Sequence, residues 1–425
     1  MLSRRQTLLG LAALAAAPAG CTRRSHPPDT VNFWAVGREG EVAADLIQDF
    51  LRERPDIHVE VQKLPWTAAH EKLLTAYAGE TLPDLCSLGN TWIPEFTALN
   101  ALTPLDELAR ASHEIALDDY FPGILESNRV EGRLYGIPWY IDTRLLYYRR
   151  DLLQQAGFDA PPVTWAEWEQ MLGAIKAMVG PQRYSILLPL NEFEPLLVLA
   201  LQQPSELLRD NGRYGNFRSA DFHRTLEFYA SMFRREWAPK MTNTQLSNVW
   251  DEFGHGLFSF YISGPWNIAE FRKRLPPQLQ DAWMTAPMPG PNGPGASSAG
   301  GASLVIFSKS NSKPAVWALM EYLSRSPVQQ RFYELTGNMP PRRSTWQSST
   351  LATSPYAKAY LAQLDRVRSP PKVPEWERIA QEMRLASERV VQGVNSVDQA
   401  CVALDRKTDE ILEKRRWMMD KDRLT

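Results

Sequence analysis

The chain has 425 residues, a formal net charge of −2 and an isoelectric point near 6.4. That balance gives no electrostatic reason to expect nucleic acid or an acidic surface as partner, and a chain of this length is too long for one core and long enough for two. Fourteen tryptophans are the unusual count, and tryptophan serves cores and ligand pockets alike.

The first 21 residues, MLSRRQTLLGLAALAAAPAGC, carry a charged start, a short apolar stretch and small residues before Cys21. This is the pattern of a secretory signal, too short to span a bilayer as a helix. Arg4-Arg5 resembles a twin-arginine export signal, with Thr7 where an aromatic is usual. Ala19-Gly20-Cys21 resembles a lipobox, with Pro18 where leucine is expected. Cys21 is therefore the candidate lipidation site; the alternative is an ordinary cleaved signal with an incidental cysteine. Both place the working protein outside the cytoplasm, in the periplasm or cell envelope. No later apolar run is long enough to span a membrane. Cys86 and Cys401 either form a disulfide or are buried free thiols. The absence of a C-x-x-C pair or a His/Cys cluster argues against a metal site, and no cofactor is expected.

Val31 to Val36 reads as a buried strand ending at Gly37. A helix is predicted over Glu41 to Arg54, a strand over His58 to Leu64, a helix over Ala69 to Ala78 and a third strand over Asp84 to Leu88. That alternation predicts a parallel α/β sheet, with ligands beyond the carboxyl ends of its strands. Leu134 to Arg149 is one extended apolar and aromatic stretch with Asp142 and Arg144 inside it. Such charges must be paired or face a cleft. Thr164 is placed to cap a helix running from Trp165 to Met178. The region from 190 to 285 is predicted to be mainly helical, 287 to 301 a Gly/Pro/Ser-rich loop, 303 to 307 a strand and 313 to 323 a helix. The last 80 residues read as helical.

The run Gly136-Ile137-Pro138-Trp139-Tyr140-Ile141-Asp142-Thr143-Arg144-Leu145-Leu146-Tyr147-Tyr148 resembles the hallmark segment of family 1 extracellular solute-binding proteins, the maltose-binding-protein-like receptors of ABC importers. Leu82-Pro83-Asp84, Pro162-Val163-Thr164-Trp165, Gly264-Pro265-Trp266, Gly300-Gly301 and Gly337-Asn338-Met339-Pro340 follow the family's order. The resemblance implies a two-lobed α/β periplasmic-binding-protein fold (type II), with the ligand in the interlobe cleft and three crossover hinge segments. The crossovers would fall at 139–144, near 286–289 and near 324–327. The lobes would then be 30–141 plus 286–325 and 142–285 plus 326–425, after a signal at 1–21. It further implies delivery of a small solute to ABC permease transmembrane subunits by a monomer. Its only membrane contact would be the lipid anchor, and nucleic acid has no part.

A neutral sugar needs flat aromatics for its C–H faces and bidentate polar groups for its hydroxyls. The predicted loops supply Arg38, Glu39, Trp66, Asn90, Thr91, Trp92, Tyr140, Asp142, Arg144 and Trp266. By resemblance, Asp142 matches a ligand-binding acid and Trp266 a stacking tryptophan, and backbone at Gly300-Gly301 would approach the ligand closely. Against these stand plainer readings. Trp34 and Trp139 read as core, as do Trp250 and Trp283. Trp66 and Trp92 stand open between core and ligand, and Asp142 with Arg144 is alternatively a hinge salt bridge. The expected function is binding of a neutral di- or short oligosaccharide, an α-glucoside such as maltose or trehalose, without catalysis. The rival readings are a same-fold receptor for an anion such as a glycerol phosphate, and a secreted glycoside hydrolase, which needs a paired acid and base that no motif signals.

Overall fold

The protein is seen in a computed structural model that describes residues 29–347 and 350–421. Arg4, Arg5 and Cys21 lie outside the described residues. Nine strands build two sheets: β1 (Asp29–Val36), β2 (Ile57–Leu64), β3 (Leu85–Gly89), β4 (Ile137–Ile141), β5 (Leu145–Arg149), β6 (Tyr184–Leu187), β7 (Phe258–Ser263), β8 (Trp283–Ala286) and β9 (Gly301–Ile306). The first sheet has the order β2-β1-β3-β9-β4, the second β8-β5-β7-β6.

β1 pairs in parallel with β2 and with β3. Every residue of β3 is buried, as an apolar strand covered on both faces should be. The sheet is not wholly parallel, as the alternation predicted. β9 runs antiparallel to both β3 and β4, because the chain returns from the second sheet and enters the first at the ligand end.

The predicted extended stretch from 134 to 149 is divided between the sheets. β4 is the edge strand of the first and β5 lies inside the second, so Asp142-Thr143-Arg144 carries the chain across. Thr143 is buried between the sheets, and Asp142 and Arg144 are partly buried at the crossing. The chain crosses back between β8 and β9, with Gly290 still bridged to Thr164 of the second lobe.

The third return lies later than 324–327. Helices Lys313–Ser324 and Ser326–Thr336 both pack on the first sheet, where Phe332 stacks on Trp139 at 4.4 Å. The Ser326-Pro327 break is therefore a joint between two helices of one lobe. Met339 and Trp346 are the next large buried side chains, and both belong to the core of Leu145 and Tyr147, where Trp346 meets Phe121 edge-on.

Helix Trp165–Val179 starts with the capping box expected at Thr164, whose hydroxyl accepts from Glu167 N while the Glu167 carboxylate accepts from Thr164 N. Its Trp165 lies parallel to Phe228, with centroids 4.2 Å apart, in the second lobe's core. The mainly helical region from 190 to 285 contains β7 and β8. Each is buried along almost its whole length, which removes the alternation that marks a strand in sequence. Cys86 and Cys401 are free thiols buried in separate cores. Among the described residues no helix is long and apolar enough to cross a membrane.

Candidate functional site

The carboxyl ends of β1, β2, β3 and β4 open on one side of the first sheet. β6 and β7 are parallel and end toward the same space, with Ser263 of β7 opposite Leu145 at the start of β5. The loops that follow these strands therefore face one another across the three-residue crossing. Two glycines make the approach possible. At Gly37, with φ +78°, a side chain would collide with the Trp66 indole. At Gly264 a Cβ would run into the Trp266 ring and Oδ1 of Asp142.

Glu39 opens the helix after β1 and is only 4% exposed. Its Oε1 accepts from Asn338 Nδ2 at 2.6 Å, while Oε2 has no partner. Burial pushes this carboxyl up to about 7, against the pull of its own backbone N–H, Tyr140 and Asn338, and the Asp142 charge adds to the rise. The Tyr140 hydroxyl is held well above its ordinary range by burial and by the charges of Glu39 and Asp142.

Across the crossing, Arg144 Nη2 lies 3.5 Å from Asp142 Oδ2 and 3.6 Å from Glu194 Oε1. Its guanidinium carbon sits 4.9 Å over the Trp266 ring. Burial opposes the Arg144 charge, but Asp142, Glu194 and Glu192 outweigh it and raise its pKa. Burial raises Asp142 despite Arg144, and Asp142 Oδ1 has no partner. The Tyr147 hydroxyl donates to Gly264 O at 2.7 Å and lies 2.9 Å from that of Tyr360, fixing the turn that presents Trp266.

On the first lobe, Trp66 is 40% exposed and meets Trp92 edge-on, with centroids 5.5 Å apart. His70 packs on Trp92 at 5.1 Å and its Nε2 lies 2.6 Å from Glu95 Oε2. Thr91 donates to Oε1 of Glu377 at 2.5 Å. Glu377 opens helix Trp376–Val391 of the second lobe's core, so this bond joins the lobes.

The structure thus brings together Glu39, Trp66, Thr91, Trp92, Tyr140, Asp142, Arg144 and Trp266. It does not bring in the other expected residues. Arg38 turns outward, donating to Leu335 O and pairing with Glu41, because the αR backbone at 38 already directs the chain into the helix. Asn90 is buried with its amide spent on Ser127 and Ser303, each at 2.9 Å. Gly300 and Gly301 abut the carbonyls of Asp142 and Tyr140. Their missing side chains let β9 close on β4 rather than admit a ligand. Trp139 and Trp283 are core, whereas Trp250 is half-buried and donates to Asn267 Oδ1 at 2.6 Å.

Four residues escaped the sequence reading: Glu194, Glu192, Glu377 and Asn338. Asn338 lay within the quoted Gly337-Asn338-Met339-Pro340 run, and Glu192 and Glu194 just ahead of an apolar helix. Glu377 carried no local signal. Among the described residues no group of three or more His, Cys, Asp or Glu is placed to hold a metal ion.

Two α/β lobes with facing strand-end loops, joined by short crossings, define a cleft-type solute-binding protein. The family model for bacterial extracellular solute-binding proteins matches residues 45–359, and the chain belongs to that family. It is similar to the sugar-binding protein MalE from the phytopathogen Xanthomonas citri, 56% identical, with a TM-score of 0.88 over 92% of this chain and 99% of that one. More distant relatives include the mannitol-binding protein of Pseudomonas aeruginosa, 24% identical over 93% of this chain and 96% of that protein. The diacetylchitobiose binding protein DasA of Streptomyces coelicolor is 23% identical over 83% and 82%.

Proposed function

We propose that the chain is the substrate-binding receptor of an ABC importer, taking a neutral sugar into the interlobe cleft and delivering it to a membrane permease. The observation that carries this reading is the pairing of open indole faces with unpartnered acceptors. Trp66 and Trp266 stand on opposite lobes, and Glu39 Oε2 and Asp142 Oδ1 lie beside them without a hydrogen-bond partner among the described residues. Sugar hydroxyls are the donors that would satisfy both, and a pyranose C–H face is the surface an indole covers best. Two lobes' worth of aromatic surface suits a disaccharide or short oligosaccharide, and an α-glucoside such as maltose or trehalose is the first case to try. The names of the relatives support a sugar or polyol.

An anionic solute fits less well, since three acids, Asp142, Glu194 and Glu192, surround the guanidinium of Arg144, and a fourth, Glu39, lies near Asp142. The raised Glu39 carboxyl is what a glycoside hydrolase's general acid would show. The binding reading is preferred because the relatives are named as binding proteins and none of them as a hydrolase. The receptor works as a monomer in the periplasm or cell envelope, held there by Cys21 if the signal is processed as a lipoprotein. A thermal-shift screen of neutral sugars, polyols and sugar phosphates tests the reading, because a ligand selective for the native state raises its stability by mass action. Stabilisation by a neutral α-glucoside and not by glycerol phosphate is expected. Stabilisation by the phosphate alone overturns it.

A further inference from the structure

One segment of the second lobe runs along the first. It starts at the crossing, where the backbone N–H groups of Ser297 and Ala299 donate to Arg366 O and Arg368 O, and Ser297 Oγ donates to Arg144 O at 2.7 Å. It ends in the first turn of helix Trp376–Val391. Between these points it is anchored to its own lobe. Arg368 donates to Leu201 O and Gln203 O, while Val373 and Trp376 are buried in the second lobe's core. Pro370, Pro371 and Pro374 fix φ along the segment, so it is a stiff strap rather than a flexible loop.

The same strap touches the first lobe from end to end. Val367 is seated on Gly123, where an added Cβ would stand 2.5 Å from Val367 Cγ2, and the nearest atoms to that Cβ all belong to Val367. Lys372 Nζ donates to Glu126 O at 2.7 Å and to Glu126 Oε1 at 2.6 Å. At the cleft end, Glu377 Oε1 accepts from Thr91 Oγ1 at 2.5 Å. Charges from both lobes converge on that last bond. Burial pushes the Glu377 carboxyl above its ordinary range, the Thr91 bond and the His70 charge pull it down, and Glu194 and Glu95 raise it again. His70 packs on Trp92 of the first lobe and Glu194 faces Arg144 of the second, so Glu377 stands between the two halves of the sugar site.

We infer that residues 366–377 form an interlobe strap and that the Thr91–Glu377 bond at its end is a closing latch, which positions Trp66 against Trp266 and sets how long the sugar stays. The inference rests on the sugar-receptor reading above. Lobes that close about a hinge can make such a bond only when they are together. A bond of that kind stabilises the closed state and slows release, and it leaves the encounter with the ligand unchanged. Thr91 and Glu377 are positioning residues in this scheme, and Val367 on Gly123 holds the strap at the height that lets them meet.

Stopped-flow tryptophan fluorescence of the full mature protein, with maltose and trehalose as probes, tests the latch. Thr91→Val and Glu377→Leu each remove one partner, and each should speed dissociation about tenfold, the worth of a hydrogen bond to a charged acceptor. Association should stay within about twofold of the parent, and in the double variant the two effects should not add. Gly123→Ala should also speed dissociation by lifting Val367, and Val367→Ala in the same chain should restore the parent rate. Loss of a sugar contact would not produce that rescue. Unchanged dissociation in Thr91→Val, additive effects in the double variant, or a Gly123→Ala rate that equals the parent's or is not restored overturns the inference. A parent that binds neither probe counts against the α-glucoside reading and not against the strap. Small-angle X-ray scattering in sugar-free buffer then decides the strap: Thr91→Val and Gly123→Ala should enlarge the radius of gyration, and unchanged values overturn it.

Discussion

Replacing Trp266 by alanine is the sharpest perturbation of the proposed sugar site. The ring folds back over Gly264 and carries the Arg144 guanidinium on one face at 4.9 Å, which leaves the other for a ligand. A sugar covering about 100 Å² of that face contributes roughly 2.5 kcal/mol at about 25 cal/mol per Å². The alanine methyl and its neighbours still cover part of that area, which recovers about 0.5–1 kcal/mol. The remainder, about 1.5–2 kcal/mol, is a ten- to thirtyfold loss of affinity. Because Trp266 is only partly buried, the melting temperature should fall by no more than a few degrees. Titration calorimetry on the variant and on Trp139→Ala separates ligand contact from core. Trp139 is 1% exposed and stacked on Phe332, so its truncation should cost about 3–5 kcal/mol of stability. Unchanged sugar affinity in Trp266→Ala would refute the stacking role and move the site elsewhere.

Asp142→Ala should lose affinity by about 1–3 kcal/mol, the cost of a missing bond to a charged acceptor. A double-mutant cycle with Arg144→Ala reads the pair's own coupling, and coupling in stability with none in binding would reduce the pair to a hinge ion pair. Glu39 binds a proton more tightly folded than unfolded, so the unliganded protein should lose stability as pH rises from 4.5 through about 7, by at most roughly 3 kcal/mol. Glu39→Gln should flatten that slope in denaturant melts across the window and be more stable than the parent at pH 8. Asn90→Ala should lower stability by about 1–3 kcal/mol by leaving the buried Ser303 hydroxyl without its acceptor, while calorimetry finds sugar affinity within about twofold. Cys21→Ser should release the protein from the membrane fraction, and mass spectrometry of the mature N-terminus should find a diacylated Cys21 in the parent. Lysines at Arg4 and Arg5 should block export if the twin-arginine route is used.

Much of the first lobe was legible because its strands and helices alternate in the local order that hydrophobic period reveals, and β1, β2 and β3 fall within two residues of expectation. The second lobe was harder. β7 and β8 are short and buried on both faces, so they read like pieces of buried helix. Predicted as one stretch, β4 and β5 lie in different sheets, a distinction made by tertiary pairing and marked in sequence only by Asp142 and Arg144. For the site, residues next to a strand end or inside a family motif were found. Glu377 was not, since it reaches Thr91 across 286 positions of sequence. Asn90 and Arg38 show the opposite error: a polar residue on the right loop, whose partners turn it away from the cleft.

The central claim is that the cleft binds a neutral sugar without altering it. Calorimetric titration of the purified mature protein with maltose and with trehalose, followed by chromatography of the recovered ligand, tests it most directly. A saturable one-to-one isotherm for at least one of them, with the sugar recovered intact, is the predicted result. Free glucose accumulating beyond one equivalent per chain, or no heat with neutral sugars beside saturable binding of glycerol phosphate in the cleft, would contradict it.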